Sequence, residues 1–184
     1  MNTVRHQPSA EIRDTPLSTL LERRVARFGG ITGDWNAFAD SQLEGRRRAQ
    51  FRMVGAGGSG KHDEPGIVPA AGFTVSIMQL PPGQGGSAHT HEIEEVFFVL
   101  QGTLTVFLED AAGNRVSTEL GPWELVSCPA GVPHGFENCG TADVFMQTMI
   151  GAGRPGPVGY TDTAVYAEET RRLGERATRS GTPA

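Results

Sequence analysis

The sequence contains few of the features that mark secreted or membrane-spanning proteins. Two cysteines in 184 residues are too few for a disulfide framework. A hairpin between Cys128 and Cys139 would offset them along its ladder, so we expect two free thiols. No run approaches the roughly 18 apolar residues that a membrane span needs. The first residues, MNTVRHQPSAEIRDTP, lack the apolar core of a signal peptide, so we predict a cytoplasmic protein with no membrane partner.

Positive charge is also scarce. The net charge is −5, and a nucleic-acid-binding protein needs clustered cations to neutralise phosphates. We therefore expect no nucleic-acid partner. The one basic run, Arg46-Arg47-Arg48, is short, and we predict that it is solvated or ion-paired on the surface.

Composition divides the chain into three segments. Residues 1–66 are predicted as an N-terminal extension, residues 67–150 as a β-barrel, and residues 151–184 as a linker with a C-terminal helical tail. Residues 55–66, GAGGSGKHDEPG, lack the order of a phosphate-binding loop because His62 follows Lys61. We predict a flexible connector there, with coverage of a site mouth as the alternative.

Each flanking segment contains one predicted helix. Thr15 is the expected N-cap and Pro16 the first helical residue of a helix that ends at Gly29-Gly30. Apolar residues recur at helical spacing between Leu17 and Phe28. Near the other end, Asp162 is the expected cap of a short final helix.

The middle segment consists of short apolar stretches between turn residues. The stretches are rich in β-branched and aromatic residues and each has the length of a strand. We predict strands over residues 73–80, 95–100, 103–108, 125–128 and 144–150. Glycine, proline and asparagine separate them, which predicts an all-β, antiparallel sandwich or barrel.

Three of the five histidines lie in two short segments of this region. His89 and His91 are two apart, so on an extended strand they share a face, and both imidazoles can reach one ion. Glu95 begins the next apolar strand, where a lone buried carboxylate would be very costly. His134 follows a Pro-Gly turn. If its strand lies across from the first, three imidazoles and one carboxylate surround a single point.

The full spacing resembles the two motifs of the cupin superfamily. The first motif is matched by Gly83, His89, His91, Glu95 and Gly102. The second is matched by Pro129, Gly131, His134 and Asn138, but Trp123 stands where its first glycine belongs. That departure affects a turn and no ligand. The resemblance covers about 85 residues, from 67 to 150, and does not extend to either end of the chain.

The resemblance implies a jelly-roll β-barrel that holds one divalent transition metal, with a helical N-terminal extension and a short C-terminal helix outside it. Its metal ligands would be His89, His91, Glu95 and His134, and Glu95 is also the candidate catalytic residue. Fe(II) is the first choice, with Mn, Ni, Co or Zn as alternatives. The resemblance also implies a homodimer, and residues 46–54 are the candidate pairing strand.

Strand alternation predicts the wall of a substrate pocket. Phe97 and Val99 follow Glu95 on one face, and Phe136 follows His134. Gln147 and Met78, from two other strands, complete the predicted lining, although each of these residues also fits ordinary barrel core.

An apolar wall favours a small aromatic or diketone-like substrate, and the first hypothesis is a metal-dependent dioxygenase. A non-oxidative isomerase, cyclase or lyase that uses the metal as a Lewis acid is the second. A non-catalytic module that binds a small molecule is the third.

Overall fold

Two antiparallel sheets of five strands each form the body of the protein. The computed structural model describes residues 10–64 and 66–180. The strands are β1 (Ala49–Val54), β2 (Thr74–Leu80), β3 (Gly85–Thr90), β4 (Glu95–Gln101), β5 (Leu104–Glu109), β6 (Arg115–Leu120), β7 (Leu125–Cys128), β8 (His134–Glu137), β9 (Val144–Ile150) and β10 (Gly159–Tyr160). The predicted all-β class is confirmed.

The first sheet has the order β1-β2-β9-β4-β7 and the second has the order β10-β3-β8-β5-β6. Both sheets contribute side chains to one hydrophobic cluster. Its largest members with almost no exposed surface include Leu80, Phe97, Leu104 and Met146. Consecutive strands such as β3 and β4 belong to different sheets, so segments that are adjacent in the sequence face each other across the core.

The five predicted strands are confirmed, with ends that shift by at most one residue. The sequence patterns did not predict β6, because this strand is almost entirely exposed to solvent. Five of its six residues are exposed, so it has no alternation of apolar and polar side chains. The two-residue strand β10 was too short to detect.

The N-terminal helix prediction is wrong in its extent. Two short helices, α1 (Ala10–Asp14) and α2 (Leu17–Glu22), occupy this region, and Phe28–Gly30 forms a separate 3-10 turn. Pro16 is the N-cap of α2, where Thr15 was expected, and no side chain caps the helix. Leu17 and Leu21 are 70% and 65% exposed, so α2 buries no apolar face that could extend it.

The C-terminal helix α3 (Thr163–Ser180) begins where the sequence predicts. Asp162 Oδ1 accepts hydrogen bonds from the backbone N–H groups of Ala164 and Val165, at 2.8 and 3.0 Å. Residues 181–184 of the predicted tail lie outside the described part of the chain. Within residues 10–64 and 66–180, no helix combines the length and hydropathy that crossing a bilayer requires.

Trp123 has a backbone conformation that side chains rarely adopt. Its φ is 72°, and among the described residues it is the only one other than glycine with a positive φ. This is the position where the second motif has glycine. The turn places the Trp123 N–H 2.8 Å from the Val99 carbonyl, and the indole is 76% exposed. The positive φ of Trp123 therefore strains the backbone of this turn, and the exposed indole makes few packing contacts that could offset the strain.

We expect Trp123→Gly to be more stable than Trp123→Ala by about 1 kcal/mol, because only alanine retains the left-handed strain. Both variants lose the indole and its contact with Phe98, so their difference isolates the backbone. Urea denaturation of the two variants measures it. At Glu124, whose φ is not positive, we expect the alanine variant to be more stable than the glycine variant. Equal stability of the two Trp123 variants would contradict the strain.

Candidate metal centre

Two strands of the second sheet bring the three histidines together. His89 lies on β3 and His91 lies just beyond its end, while His134 begins β8. The antiparallel pairing of β3 and β8 places His89 directly opposite His134. Their rings are 4.6 Å apart between centroids, and the rings of His89 and His91 are 5.3 Å apart. All three side chains are buried.

Glu95 reaches this cluster from the other sheet. It is the first residue of β4 and is buried. Its Oε2 lies 3.3 Å from His89 Nε2, 3.4 Å from His91 Nε2 and 3.0 Å from His134 Nε2. The ligand atoms of His89, His91 and Glu95 all lie within 4.8 Å of one another. The three histidines named from the sequence thus converge on one carboxylate oxygen of the fourth residue, Glu95.

The hydrogen bonds of two imidazoles show which nitrogen is available. His89 Nδ1 lies 2.8 Å from the Ser87 carbonyl, and His134 Nδ1 lies 2.7 Å from the Val132 carbonyl. A carbonyl only accepts, so Nδ1 carries the proton and Nε2 of a neutral ring has a lone pair. Lone pairs that face a carboxylate oxygen repel it, so a positive charge must lie among them, either as a proton on a ring or as a metal ion. The donor set therefore fits a divalent transition metal.

The electrostatics favour the protonation states that ligands need at Glu95 and His89, but not at His91, which must lose its proton to bind a metal. Burial raises the pKa of Glu95, but the facing imidazoles lower it more, so that this pKa lies well below its usual range. Burial lowers the pKa of His89, which favours the neutral ring. Burial also lowers the pKa of His91, but the Glu95 carboxylate outweighs that effect and the pKa is raised overall.

A buried ion pair supports the cluster from the N-terminal segment. Asp40 Oδ1 accepts a 2.8 Å hydrogen bond from Arg48 Nη2, and Asp40 Oδ2 accepts a 2.9 Å bond from the Ser87 N–H. Ser87 is the residue whose carbonyl holds His89 Nδ1. Arg48, Asp40 and Ser87 therefore fix the position of His89 indirectly.

The surface prediction for the basic run is wrong for Arg48. Its side chain is only 3% exposed, whereas Arg47 is exposed and Arg46 is partly exposed. The buried Asp40 carboxylate offsets the cost of taking this cation out of water. Asp40 and Arg48 form no recognisable motif, so no sequence signal indicated the pair.

A pocket opens beside the four residues. Inside it, about 30 Å³ is left for the centres of water-sized molecules, and the pocket is partly open to solvent. Met78, Phe97 and Phe136, three of the predicted pocket residues, line it together with His89, His91 and Glu95. Further lining side chains come from Phe38, Arg48, Gln50, Ser76, Thr148, Val158 and Tyr160.

Two predicted pocket residues lie elsewhere. Gln147 is on the opposite face of β9 from Met146 and Thr148, and Thr148 lines the pocket in its place. Val99 faces inward, as alternation predicts, but it is fully buried in the hydrophobic cluster. Neither residue lines the pocket.

The glycine-rich loop contributes to the pocket wall, and Cys128 packs behind the cluster. A Cβ atom added to Gly58 would lie 3.4 Å from His91 Cε1, so the loop rests directly against this histidine. Cys128 and Cys139 are free, and Cys128 is buried opposite Glu95 on the neighbouring strand. Burial and the nearby carboxylate raise the pKa of the Cys128 thiol to about 12, which excludes it as a nucleophile near neutral pH.

Comparison with known proteins supports the fold and the family. The family described as "Cupin domain" matches residues 76–150. No curated protein sequence matches significantly. Among solved structures, the polyketide cyclase RemF from Streptomyces resistomycificus superposes with a TM-score of 0.58 at 18% identity, over 82% of this chain and 94% of that one.

Two other enzymes have similar folds. An oxalate oxidase superposes with a TM-score of 0.56 at 18% identity, over 93% of this chain and 82% of that one. The DMSP lyase DddQ from Ruegeria pomeroyi superposes with a TM-score of 0.52 at 19% identity, over 78% and 63% of the two chains. At such identities the likeness establishes the fold alone. Together with the family match and the two sheets, it shows that residues 76–150 form a cupin domain within a jelly-roll fold of two antiparallel sheets.

Proposed function

We propose that His89, His91, Glu95 and His134 hold one divalent transition metal and that the protein is a metal-dependent enzyme. The observation that carries this proposal is the convergence of three imidazole Nε2 atoms on Glu95 Oε2 at 3.0–3.4 Å. Two of those rings are fixed with Nδ1–H on a backbone carbonyl, so their lone pairs face the carboxylate. Fe(II) is our first choice, and Mn, Ni, Co and Zn suit the same donors.

The reaction we propose is the dioxygenation of a small aromatic or diketone-like compound. Fe(II) held by these four residues would supply one-electron chemistry with O2. Phe97 and Phe136 form an apolar wall 5.0 Å apart between ring centroids, and Phe97 lies 5.8 Å from His134. In this proposal the two phenylalanine rings exclude water and hold a flat substrate beside the cluster, and Glu95 is the proposed catalytic residue.

A non-oxidative isomerase, cyclase or lyase is the alternative. The pocket also contains polar side chains, among them Arg48, Gln50 and Thr148, which suit a substrate whose oxygens must be held while a proton moves. A cyclase and a lyase are among the proteins with similar folds. A non-catalytic module that binds a small molecule is the third candidate. His89→Ala should remove the metal, and a biological role that survives this loss would support the non-catalytic module over the two enzymes.

Metal analysis of freshly purified protein tests the proposal first. We expect about one transition-metal ion per chain. The proposal would be contradicted if the purified protein contained no such metal and also failed to bind added Fe(II), Mn, Ni, Co or Zn. Oxygen uptake by the Fe(II)-loaded protein with candidate aromatic or diketone substrates tests the reaction. Turnover that continues unchanged under anaerobic conditions would exclude the dioxygenase and support the alternative.

The homodimer remains a prediction. Strand β1 is at the edge of the first sheet and has a single sheet neighbour, β2. Two isolated bridges, Asp34–Gln50 and Val54–Val68, cover part of its outer edge. Light scattering of the purified protein measures the mass and decides between monomer and dimer.

A further inference from the structure

We infer that the pocket binds an anionic substrate, in which Arg48 Nε–H takes an acidic oxygen and the Thr148 hydroxyl takes a second polar atom farther along the pocket. The inference rests on the proposed function because it names a substrate class for the same site. That class is a small aromatic monoanion, with a carboxylate or an enolate oxygen on a flat apolar body.

The first observation is an incomplete set of hydrogen bonds on Arg48. Nη2 donates to Asp40, and Nη1 donates to the carbonyls of Arg46 and Gly85 at 3.0 and 3.1 Å. Nε has no partner although it is buried. A guanidinium offers its N–H groups as a rigid fork that matches carboxylate oxygens. Protein groups satisfy both ends of this fork and leave the Nε donor available.

The second observation is an unpartnered hydroxyl in the same pocket. Thr148 lies on β9 and shares the inward face with Met146 and Ile150. Its Oγ1 is buried without a hydrogen-bond partner. Among the residues that the structure describes, Arg48 Nε and Thr148 Oγ1 are the only two such side-chain atoms, and both residues line the pocket. Buried polar groups without partners are rare and costly, so these two atoms mark places for the oxygen of a water molecule or of a ligand, and a ligand that binds there displaces the water.

Charge balance favours an anion over a neutral ligand. Arg48 and Glu95 are the charged residues that line the pocket besides the histidines, and Asp40 already neutralises Arg48. A divalent ion on the proposed ligands would leave one unit of positive charge after Glu95 is counted. A monoanionic substrate neutralises that charge in a site with little access to water.

Aromatic contacts connect the Arg48 end of the pocket to the metal cluster and define the shape of the ligand. The Arg48 guanidinium lies 4.4 Å from the Phe38 ring and 5.7 Å from the Phe136 ring. Phe136 contacts Phe97, which contacts His134. This continuous wall of rings suits a planar aromatic body that has its acidic oxygen at the Arg48 end.

Benzoate, compared with its neutral analogue benzamide, tests the inference by isothermal titration calorimetry. The titrations use the protein as purified and after chelation, with metal content measured on each sample. We expect wild type to bind benzoate at least about tenfold more tightly than benzamide. Arg48→Lys keeps a cation for Asp40 but removes Nε, and should weaken benzoate binding about tenfold or more. Thr148→Val should weaken it several-fold, with a melting temperature equal to or above that of wild type.

Thr118→Val, on the exposed strand β6, is the matched control and should bind benzoate as wild type does. The inference fails if wild type shows no benzoate binding up to about 10 mM, if it binds benzamide equally well, or if both pocket variants bind benzoate normally. Binding that depends on Arg48 in a protein without metal would support this inference while the proposed function fails. If the protein binds metal but Arg48 and Thr148 contribute nothing to benzoate binding, the proposed function stands and this inference fails.

Discussion

Glu95→Gln is expected to lower the affinity for a divalent metal about 100-fold or more, because a neutral amide replaces the one anionic ligand. The substitution keeps the size of a side chain that is almost completely buried. Competition with a chromogenic chelator measures the affinity directly. A metal that binds only the folded protein also stabilises it, so 100-fold weaker binding removes about 2.7 kcal/mol of that stabilisation. In a chain of this length the melting temperature of the metal-loaded protein should then fall by roughly 5–10 °C.

Glu94→Gln provides the matched control for this prediction. Glu94 is adjacent in the sequence but exposed, and its carboxylate accepts a hydrogen bond from Ser127 on the neighbouring strand. It should bind metal as wild type does. Equal metal affinity in the two variants would show that Glu95 is not a ligand, whatever the geometry suggests.

Asp40→Asn is expected to destabilise the protein by about 3–5 kcal/mol, because it leaves the buried Arg48 cation without its counterion. Both partners of this ion pair are almost completely buried, at 3% and 0% side-chain exposure. Equilibrium urea denaturation measures the loss, and the melting temperature should fall by roughly 10 °C. Because Asp40 also holds the Ser87 N–H, the variant should bind metal more weakly through His89.

The loss of stability in Asp40→Asn depends on pH, because it requires an ionised Asp40 in the wild-type protein. Burial raises the pKa of Asp40, but Arg48 and the Ser87 hydrogen bonds lower it more, and the pKa lies below its usual value of 3.8. A lowered pKa in the folded state contributes stability above the unfolded pKa, which is lost as the pH falls through the folded pKa. The difference between wild type and Asp40→Asn should therefore be full at neutral pH and shrink below about pH 4.

Glu175→Gln is the control for the buried pair. Glu175 pairs with Arg171 on α3, where both side chains are more than half exposed. Exposed pairs contribute at most about 1 kcal/mol, so this variant should stay close to wild type. A loss at Asp40 no larger than the loss at Glu175 would contradict the structural role of the buried pair.

The sequence was most informative where the chemistry depends on local spacing. His89 and His91 are two residues apart in an extended segment, and alternation alone predicts that they point the same way. The contribution of His134 and Glu95 depended on strands that pair far along the chain, and the resemblance to cupin motifs supplied that arrangement. The structure brings all four side chains together.

The errors arose where burial or strand phase depends on distant partners. Arg48 belongs to a basic run that looked solvent-exposed, and only Asp40, from the 3-10 turn Ala39–Gln42, explains why it is buried. Gln147 and Thr148 are neighbours on β9, so their side chains point to opposite faces of the sheet. A shift of one residue in the register of β9 would decide which of them faces the pocket. Local composition determines neither the burial of Arg48 nor the phase of β9.

The pocket wall has a divided origin. All four proposed ligands, and half of the apolar wall, come from residues 76–150, the part that matches the family. Six lining residues come from outside that range: Phe38, Arg48, Gln50, Gly58, Val158 and Tyr160. The strands of residues 76–150 therefore provide the four proposed ligands, and the flanking segments provide much of the pocket surface. If the proposed function holds, exchange of these flanks between related barrels should change which compound is accepted and leave the metal affinity unchanged.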